Sequence, residues 1–295
     1  VLYSKIDDTA SVKRCLKVSP EKGHFMLINH QSVSRKKCYD TCPQQYKFRY
    51  HLKVPRPGEE PFYFTYGTIV HRVAELYVQN KGERAIEEIV KDVFSGKCDL
   101  DDRGRKCPPL TEDYKKKFPK HIKAVKELID RIGTTGITEH KFEYDLDPPH
   151  KKMVLGFIDL LIVGKGKAFI IDYKTTKKGK FRVNKNTVKT DLQLRMYSRV
   201  IQREFGVEAK NIKAAMYYVE GANMVGCCYS DESLEAAEKE LLEAYDRIEA
   251  SDPEKVWGKV GWHCKNCDYN TLCSFYTNND VPAWDGNMDS LGGGW

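Results

Sequence analysis

Long apolar runs are missing from this chain of 295 residues. No window of about 18 apolar residues exists, so no membrane-crossing helix is expected. Val1 to Arg14 carry no apolar core of the kind a secretory leader needs. The expectation is an intracellular protein, cytoplasmic, in the host's cytoplasm if the chain is viral. Neither Gly-x-x-x-x-Gly-Lys-Ser/Thr nor Gly-x-Gly-x-x-Gly occurs, which argues against nucleotide hydrolysis, helicase coupling and dinucleotide binding. No internal repeat is found. Neither sign of charge dominates: 49 Lys and Arg against 42 Asp and Glu leave a net charge of +7. That mild basic excess is compatible with a polyanionic partner. Cysteine is not scarce. Ten cysteines in a reducing compartment do not make a disulfide framework, so metal binding is the first explanation for them.

Residues 1–23 are polar and aperiodic and read as an N-terminal extension. Residues 24–276 form the expected domain, and 277–295 an acidic, Gly-rich tail whose Gly-Gly-Gly-Trp295 end is a candidate contact for a protein partner. Ser34 is the expected cap of a short helix to Thr41. Tyr46-Lys47-Phe48-Arg49-Tyr50 interleaves bases and rings that could stack on nucleobases. Helices are expected over Thr65–Asn80, 84–95 and from Tyr114 to Ile132, the last kinked or restarted at Pro119. Its polar face carries Lys115, Lys116, Lys117, Lys120, Lys123 and Lys126, a solvated face or a phosphate-tracking one. Strands follow at Thr138–Leu146, Met153–Val163 and Ala168–Thr175, the last two as a hairpin around Gly164–Lys167. A helix over Asp191–Phe205, strands at Ile212–Glu220 and Met224–Tyr229, and a helix from Asp231 to Ala250 complete the pattern. Helices before and after a strand block predict an α/β (α+β) domain, a central mixed sheet flanked by helices.

The informative stretch is Gly156-Phe157-Ile158-Asp159, a hairpin, then Ile170-Ile171-Asp172-Tyr173-Lys174-Thr175. Asp159 sits inside an apolar strand, and a buried carboxylate must be paired, protonated or bound to metal. Alternation puts Ile170, Asp172 and Lys174 on one face. The hairpin can bring Asp159 beside Asp172, and a divalent cation would relieve their repulsion. Lys174 would then stabilise phosphoryl oxygens or orient the attacking water. The plainer alternative for Asp172 and Lys174 is a structural salt bridge. On an earlier helix, His71 shares a face with Gly67, which would permit close backbone approach.

This hairpin resembles those of the PD-(D/E)XK nucleases, and the resemblance to their RecB-like branch runs from Ser34 to Cys273. That branch includes AddB nuclease domains, CRISPR-associated RecB-like nucleases and many phage exonucleases. Gly67-Thr68-Ile69-Val70-His71 matches its early Gly-x-x-x-His, Glu139 its strand glutamate (Glu143 being the rival), and Gln193-Leu-Arg-Met-Tyr197 its Gln-x-x-x-Tyr. The resemblance implies a restriction-endonuclease-like core. It implies Mg²⁺ or Mn²⁺ on His71, Asp159, Asp172 and the Tyr173 carbonyl, with Lys174 catalytic, Glu139 contributing, and Gln193 and Tyr197 positioning lysine or DNA. It implies a deoxyribonuclease, expected to be an exonuclease on single-stranded or free DNA ends in recombination, repair or replication. A structure-selective endonuclease and a non-catalytic DNA-binding partner in a recombination or spacer-capture complex are the alternatives.

Cys264-Lys-Asn-Cys267-Asp-Tyr-Asn-Thr-Leu-Cys273 calls for a fourth ligand. Iron–sulfur members of the branch take it from a Cys-Pro like Cys42-Pro43, which implies a [4Fe–4S] cluster on Cys42, Cys264, Cys267 and Cys273. Cys38 is a substitute for Cys42, and zinc is the alternative metal. His263 is read as incidental. Cys98 and Cys107 are open as a second site.

Overall fold

Five strands between Ile137 and Cys228 form one mixed sheet in the order β1-β2-β3-β4-β5. They are β1 (Ile137–Asp145), β2 (Met153–Gly164), β3 (Lys167–Lys174), β4 (Ile212–Tyr218) and β5 (Asn223–Cys228). β3 and β4 pair in parallel, and every other neighbouring pair is antiparallel. The parallel step needs a crossover, and a helix over Leu192–Phe205 supplies it. This is the expected α/β architecture. The computed structural model describes residues 26, 28–57, 61–101, 104–133, 135–176 and 182–276. The expected extension 1–23, Cys15 and the tail 277–295 lie outside the described residues.

The helices are α1 (Val33–Thr41), α2 (Pro43–Tyr46), α3 (Phe62–Gln79), α4 (Ile86–Phe94), α5 (Glu112–Ile132), α6 (Leu192–Phe205) and α7 (Asp231–Glu249). The cap of α1 is Ser32, not Ser34: its side chain accepts the Arg35 N–H at 3.2 Å. α3 starts three residues before the expected Thr65, directly after Pro61, whose fixed φ suits a helix entry. α5 runs unbroken through Pro119, so the expected restart is absent. Its apolar face holds the helix against the core despite the lost hydrogen bond: Phe118, Ile122, Val125, Leu128 and Ile129 are all buried.

The chain divides into two compact units, Glu60–Leu242 and a second made of Val1–Glu59 with Glu243–Trp295. The first contains the whole sheet and a core in which α3, α4 and α5 supply Tyr66, Val73, Ile89 and Leu128 against Leu160, Ile171, Tyr173 and Tyr217. The second has its own cluster around Met26, Cys38, Tyr46 and Ile248. There one of the expected base-stacking rings, Tyr46, is taken inside, while Phe48 and Tyr50 are half-buried. Tyr46 is fully buried, its ring lies 5.0 Å from Tyr50, and Phe48 packs 5.4 Å from Tyr269.

Within the sheet, Gly156 is required by its neighbour: a Cβ there would come within 2.3 Å of the Phe142 ring, its cross-strand partner. Gly67 is different. A Cβ there would meet only Thr175 Oγ1 at 3.5 Å, an ordinary contact, so no close backbone approach explains that glycine.

Candidate active site

The β2–β3 register ends at Leu160 opposite Ile171. The next residues on the two strands are Asp159 and Asp172. The Tyr173 N–H donates to the Asp159 carboxylate at 2.6 Å. One carboxylate is thus set at the edge of the hairpin by the backbone of the other's neighbour.

His71 reaches this edge from α3. Its Nε2 lies 3.0 Å from the Tyr173 carbonyl oxygen, and its Nδ1 lies 3.4 Å from Asp159 Oδ1. Glu139 completes the group from β1. Ligand atoms of His71, Glu139 and Asp159 lie within 4.8 Å of one another. Glu139 has a φ of 46°, although β1 and β2 keep one register on both sides of it, with Thr138 opposite Leu160 and His140 opposite Ile158. A left-handed glutamate inside a strand costs on the order of 1–3 kcal/mol, and such strain clusters at functional sites. The rival Glu143 is not brought here. It is exposed opposite Leu155 and pairs with Lys141 at 2.7 Å.

Asp172 is 3% exposed and ion-paired to Lys174 at 2.6 Å. Gln193 Nε2 donates to Asp172 Oδ1 at 3.2 Å and to the Tyr197 hydroxyl at 2.7 Å, while its Oε1 lies 3.5 Å from Lys174 Nζ. Asp191, which caps α6 by accepting the Leu194 N–H, sets the helix that presents both residues. The Phe142 ring lies edge-on to Tyr197 at 5.8 Å. Sequence reasoning missed Phe142. Gly156 was the available signal, a glycine in an apolar strand that leaves room for a ring.

The electrostatics divide the two aspartates. Burial would raise the Asp159 pKa, but His71, then Lys174 and the Tyr173 N–H, outweigh it and hold Asp159 below the usual carboxylate value. Burial raises Asp172, with Lys174 opposing and Asp159 adding to the rise. Burial alone would lower His71, but Asp159 outweighs it, with Asp172 and Glu139 adding, and raises the imidazole to about 9. Neighbouring acids pushed in opposite directions are characteristic of sites that handle protons or metal. A histidine nitrogen, two carboxylates and a carbonyl at one edge form a hard donor set that fits Mg²⁺ or Mn²⁺.

In the other unit, Cys42, Cys264, Cys267 and Cys273 line one pocket, to which no carboxylate among the described residues contributes. That soft donor set fits iron–sulfur or zinc chemistry. Burial raises Cys267 to about 11, the Tyr269 backbone opposing and Cys42 and Cys264 adding. Cys38 is not in the lining. It sits in the apolar cluster, and burial pushes its thiol up to about 12. His263 does line the pocket, with a buried Nε2 that has no hydrogen-bond partner among the described residues. Cys98 and Cys107 pack against the core of the sheet unit instead.

The chain belongs to the PD-(D/E)XK nuclease superfamily, whose family model matches residues 30–274. Membership implies a metal-dependent nuclease, and nucleases of this superfamily use Mg²⁺ or Mn²⁺. A stretch of 94 residues is 32% identical to the RecBCD enzyme subunit RecB of Buchnera aphidicola subsp. Acyrthosiphon pisum (strain APS). It covers 29% of this chain and only 8% of that relative. A solved structure titled "Crystal structure of SSO0001" aligns at 14% identity and a TM-score of 0.36, over 83% of this chain and 96% of that one. No helix among the described residues is long and apolar enough to cross a membrane.

Proposed function

We propose that this chain is a deoxyribonuclease that hydrolyses phosphodiester bonds at single-stranded DNA ends, in recombination, repair or replication. The observation that carries the reading is the convergence of His71, Glu139, Asp159 and the Tyr173 carbonyl beside the ion pair of buried Asp172 with half-buried Lys174. His71, Glu139, Asp159, Asp172 and that carbonyl would hold Mg²⁺ or Mn²⁺, which supplies Lewis acidity and a more acidic bound water. Lys174 donates to the phosphoryl oxygens as charge builds there. Gln193 holds Asp172 and Lys174 in place, and Tyr197, kept neutral by burial and by the nearby aspartates, holds Gln193. The stretch similar to a RecB subunit supports the RecB-like branch.

The deciding experiment is digestion of end-labelled linear and closed circular single-stranded DNA with Mg²⁺ or Mn²⁺. Loss of the linear strand with the circle spared is expected. A cut circle would make the protein an endonuclease. If neither is cut while DNA is still bound, it is a non-catalytic binding module.

For the cysteine pocket we favour a [4Fe–4S] cluster over zinc. Cys42 of the Cys42-Pro43 pair and the group Cys264, Cys267 and Cys273, which the resemblance links to such a cluster, line the same pocket. Iron and sulfide analysis of protein purified without air tests it, and zinc without iron would overturn it.

A further inference from the structure

Among the described residues of the unit Glu60–Leu242, four aromatic side chains stand exposed: Tyr63, Phe64, Phe157 and Phe205. Phe205 lies beside His140, 5.9 Å between centroids. The other three are on the two elements that carry His71 and Asp159. Phe64 precedes His71 by seven residues on α3. Seven residues fall within about 20° of two full turns, so both project from one face, about 10.5 Å apart along the axis. The Tyr63 ring lies 4.4 Å from that of Phe64. Phe157 precedes Asp159 by two residues on β2, on the same side by alternation and about 7 Å along the strand. It stands opposite Lys141, as Thr138 stands opposite Leu160, so Glu139 lies on the flanking stretch of β1. Tyr63, Phe64 and Phe157 are 52%, 45% and 43% exposed.

Scattered exposed apolar residues need no special account. Rings gathered on the elements of a phosphodiester-cutting centre are another matter, because whatever reaches that centre carries nucleobases within a nucleotide of the phosphate. In a duplex the faces of those bases are covered by their neighbours, and only edges are offered. In a single strand the faces are open, and an aromatic ring can take them up. The centre itself is rich in carboxylates, so charge alone does not draw a strand into it. Of the rings at Tyr46–Tyr50, Tyr46 is buried and Phe48 and Tyr50 are half-buried, so none of them stands as exposed as these three.

We propose that Phe64, seconded by Tyr63, and Phe157 form a base-binding subsite that stacks on unpaired nucleobases next to the scissile phosphate and so selects single-stranded DNA. The proposal rests on the nuclease reading for its position, but it is testable without cleavage. The assay is fluorescence anisotropy with the whole chain in Ca²⁺. The probes are a labelled single strand, the same sequence as a blunt duplex, and a single strand of equal length with abasic sites in place of nucleotides. The wild type should bind the normal strand at least about tenfold more tightly than the abasic one. Phe64→Ala and Phe157→Ala should each weaken binding of the normal strand by roughly 5- to 100-fold, as loss of one stacked base does, and leave the abasic strand unchanged. Phe64→Trp and Phe157→Trp should restore the preference.

Equal wild-type affinity for normal and abasic strands would overturn the subsite whatever the variants do. So would alanine variants that weaken both strands alike, since that would mark a phosphate or folding role. The nuclease reading fails separately. If the wild type shows the base-dependent contrast but cuts nothing with Mg²⁺ or Mn²⁺, the subsite stands and the activity does not.

Discussion

His71 Nε2 lies 3.0 Å from the carbonyl oxygen of Tyr173, a residue 102 positions away in the sequence. The contact joins α3 to the last turnings of β3, and it makes the candidate centre a product of tertiary folding rather than of the hairpin alone. Ligands drawn from separate elements keep their spacing only while the core between them is packed. Substitutions at the centre must therefore be judged for stability as well as for chemistry.

Asp172→Asn keeps the shape of the side chain and an acceptor for Gln193 but removes the charge. Single-turnover cleavage is expected to fall by at least about 10²- to 10³-fold. Circular dichroism should report an unchanged fold. Lys174→Met should lose cleavage to a similar degree while calorimetric titration still shows metal binding. Lost binding in that variant would assign Lys174 to holding the site rather than to chemistry.

The strained backbone at Glu139 separates stability from function. Glu139→Gly and Glu139→Ala should both weaken metal binding. Only glycine adopts a φ of 46° freely, so Glu139→Gly should be more stable than Glu139→Ala by about 1 kcal/mol in urea denaturation. The reverse order would mean that the strain is not real.

His121 is buried and bonded to the Tyr66 hydroxyl at 2.7 Å. Burial lowers its pKa, with Glu220 opposing and Lys117, Lys120 and Arg182 adding. A depressed folded value means that the unfolded chain takes up this proton first. The contribution is therefore complete above the unfolded value of about 6.5 and is lost as pH falls through the folded one, at up to about 1.4 kcal/mol per pH unit. Urea midpoints at pH 7.5 and 5.5 should diverge in the wild type. In His121→Gln the divergence should shrink, and if it stays the same, another group is responsible.

On α5, Lys116 and Lys120 are exposed and have no acidic partner among the described residues, whereas Lys115 pairs with Glu112 at 2.7 Å and Lys126 is bonded to Asp130. Neutralising Lys116 and Lys120 should flatten the salt dependence of DNA binding by about one to two counterions. An unchanged slope would leave that face as ordinary solvated surface.

With the proposed [4Fe–4S] cluster in the cysteine pocket, Cys264→Ser should bleach absorbance at about 400 nm and lower thermal stability, because joining Cys42 to Cys264 closes a loop of more than 200 residues in the unfolded chain. Cys228→Ser, at an exposed thiol outside the pocket, should do neither. Loss of iron with an unchanged melting temperature would remove the structural role and keep the cluster.

Much of this was legible in the sequence. Apolar strands interrupted by Asp159 and Asp172, helix periodicity in α5 and the register-neutral turn at Gly164–Lys167 all mark their elements. Side chains whose position depends on another element were not legible. Tyr46 to Tyr50 look like a surface track in one dimension, yet Tyr46 is taken into a cluster with Cys38 and Ile248, because burial depends on what the rest of the chain brings. Glu139 and Glu143 are equivalent by spacing. A local backbone reversal that no pattern announces brings the first to His71.

Gly156 carries no functional atom, yet a line of contacts leads from it to Asp172. It leaves space for the Phe142 ring, which lies against Tyr197, which accepts from Gln193, which donates to Asp172. A single methyl at 156 would push on the first member, and the last would tilt. Residues 156 and 142 are thus one unit of variation. A side chain at the first is tolerable only with a smaller one at the second, and Gly156→Ala should slow cleavage until Phe142→Leu relieves it.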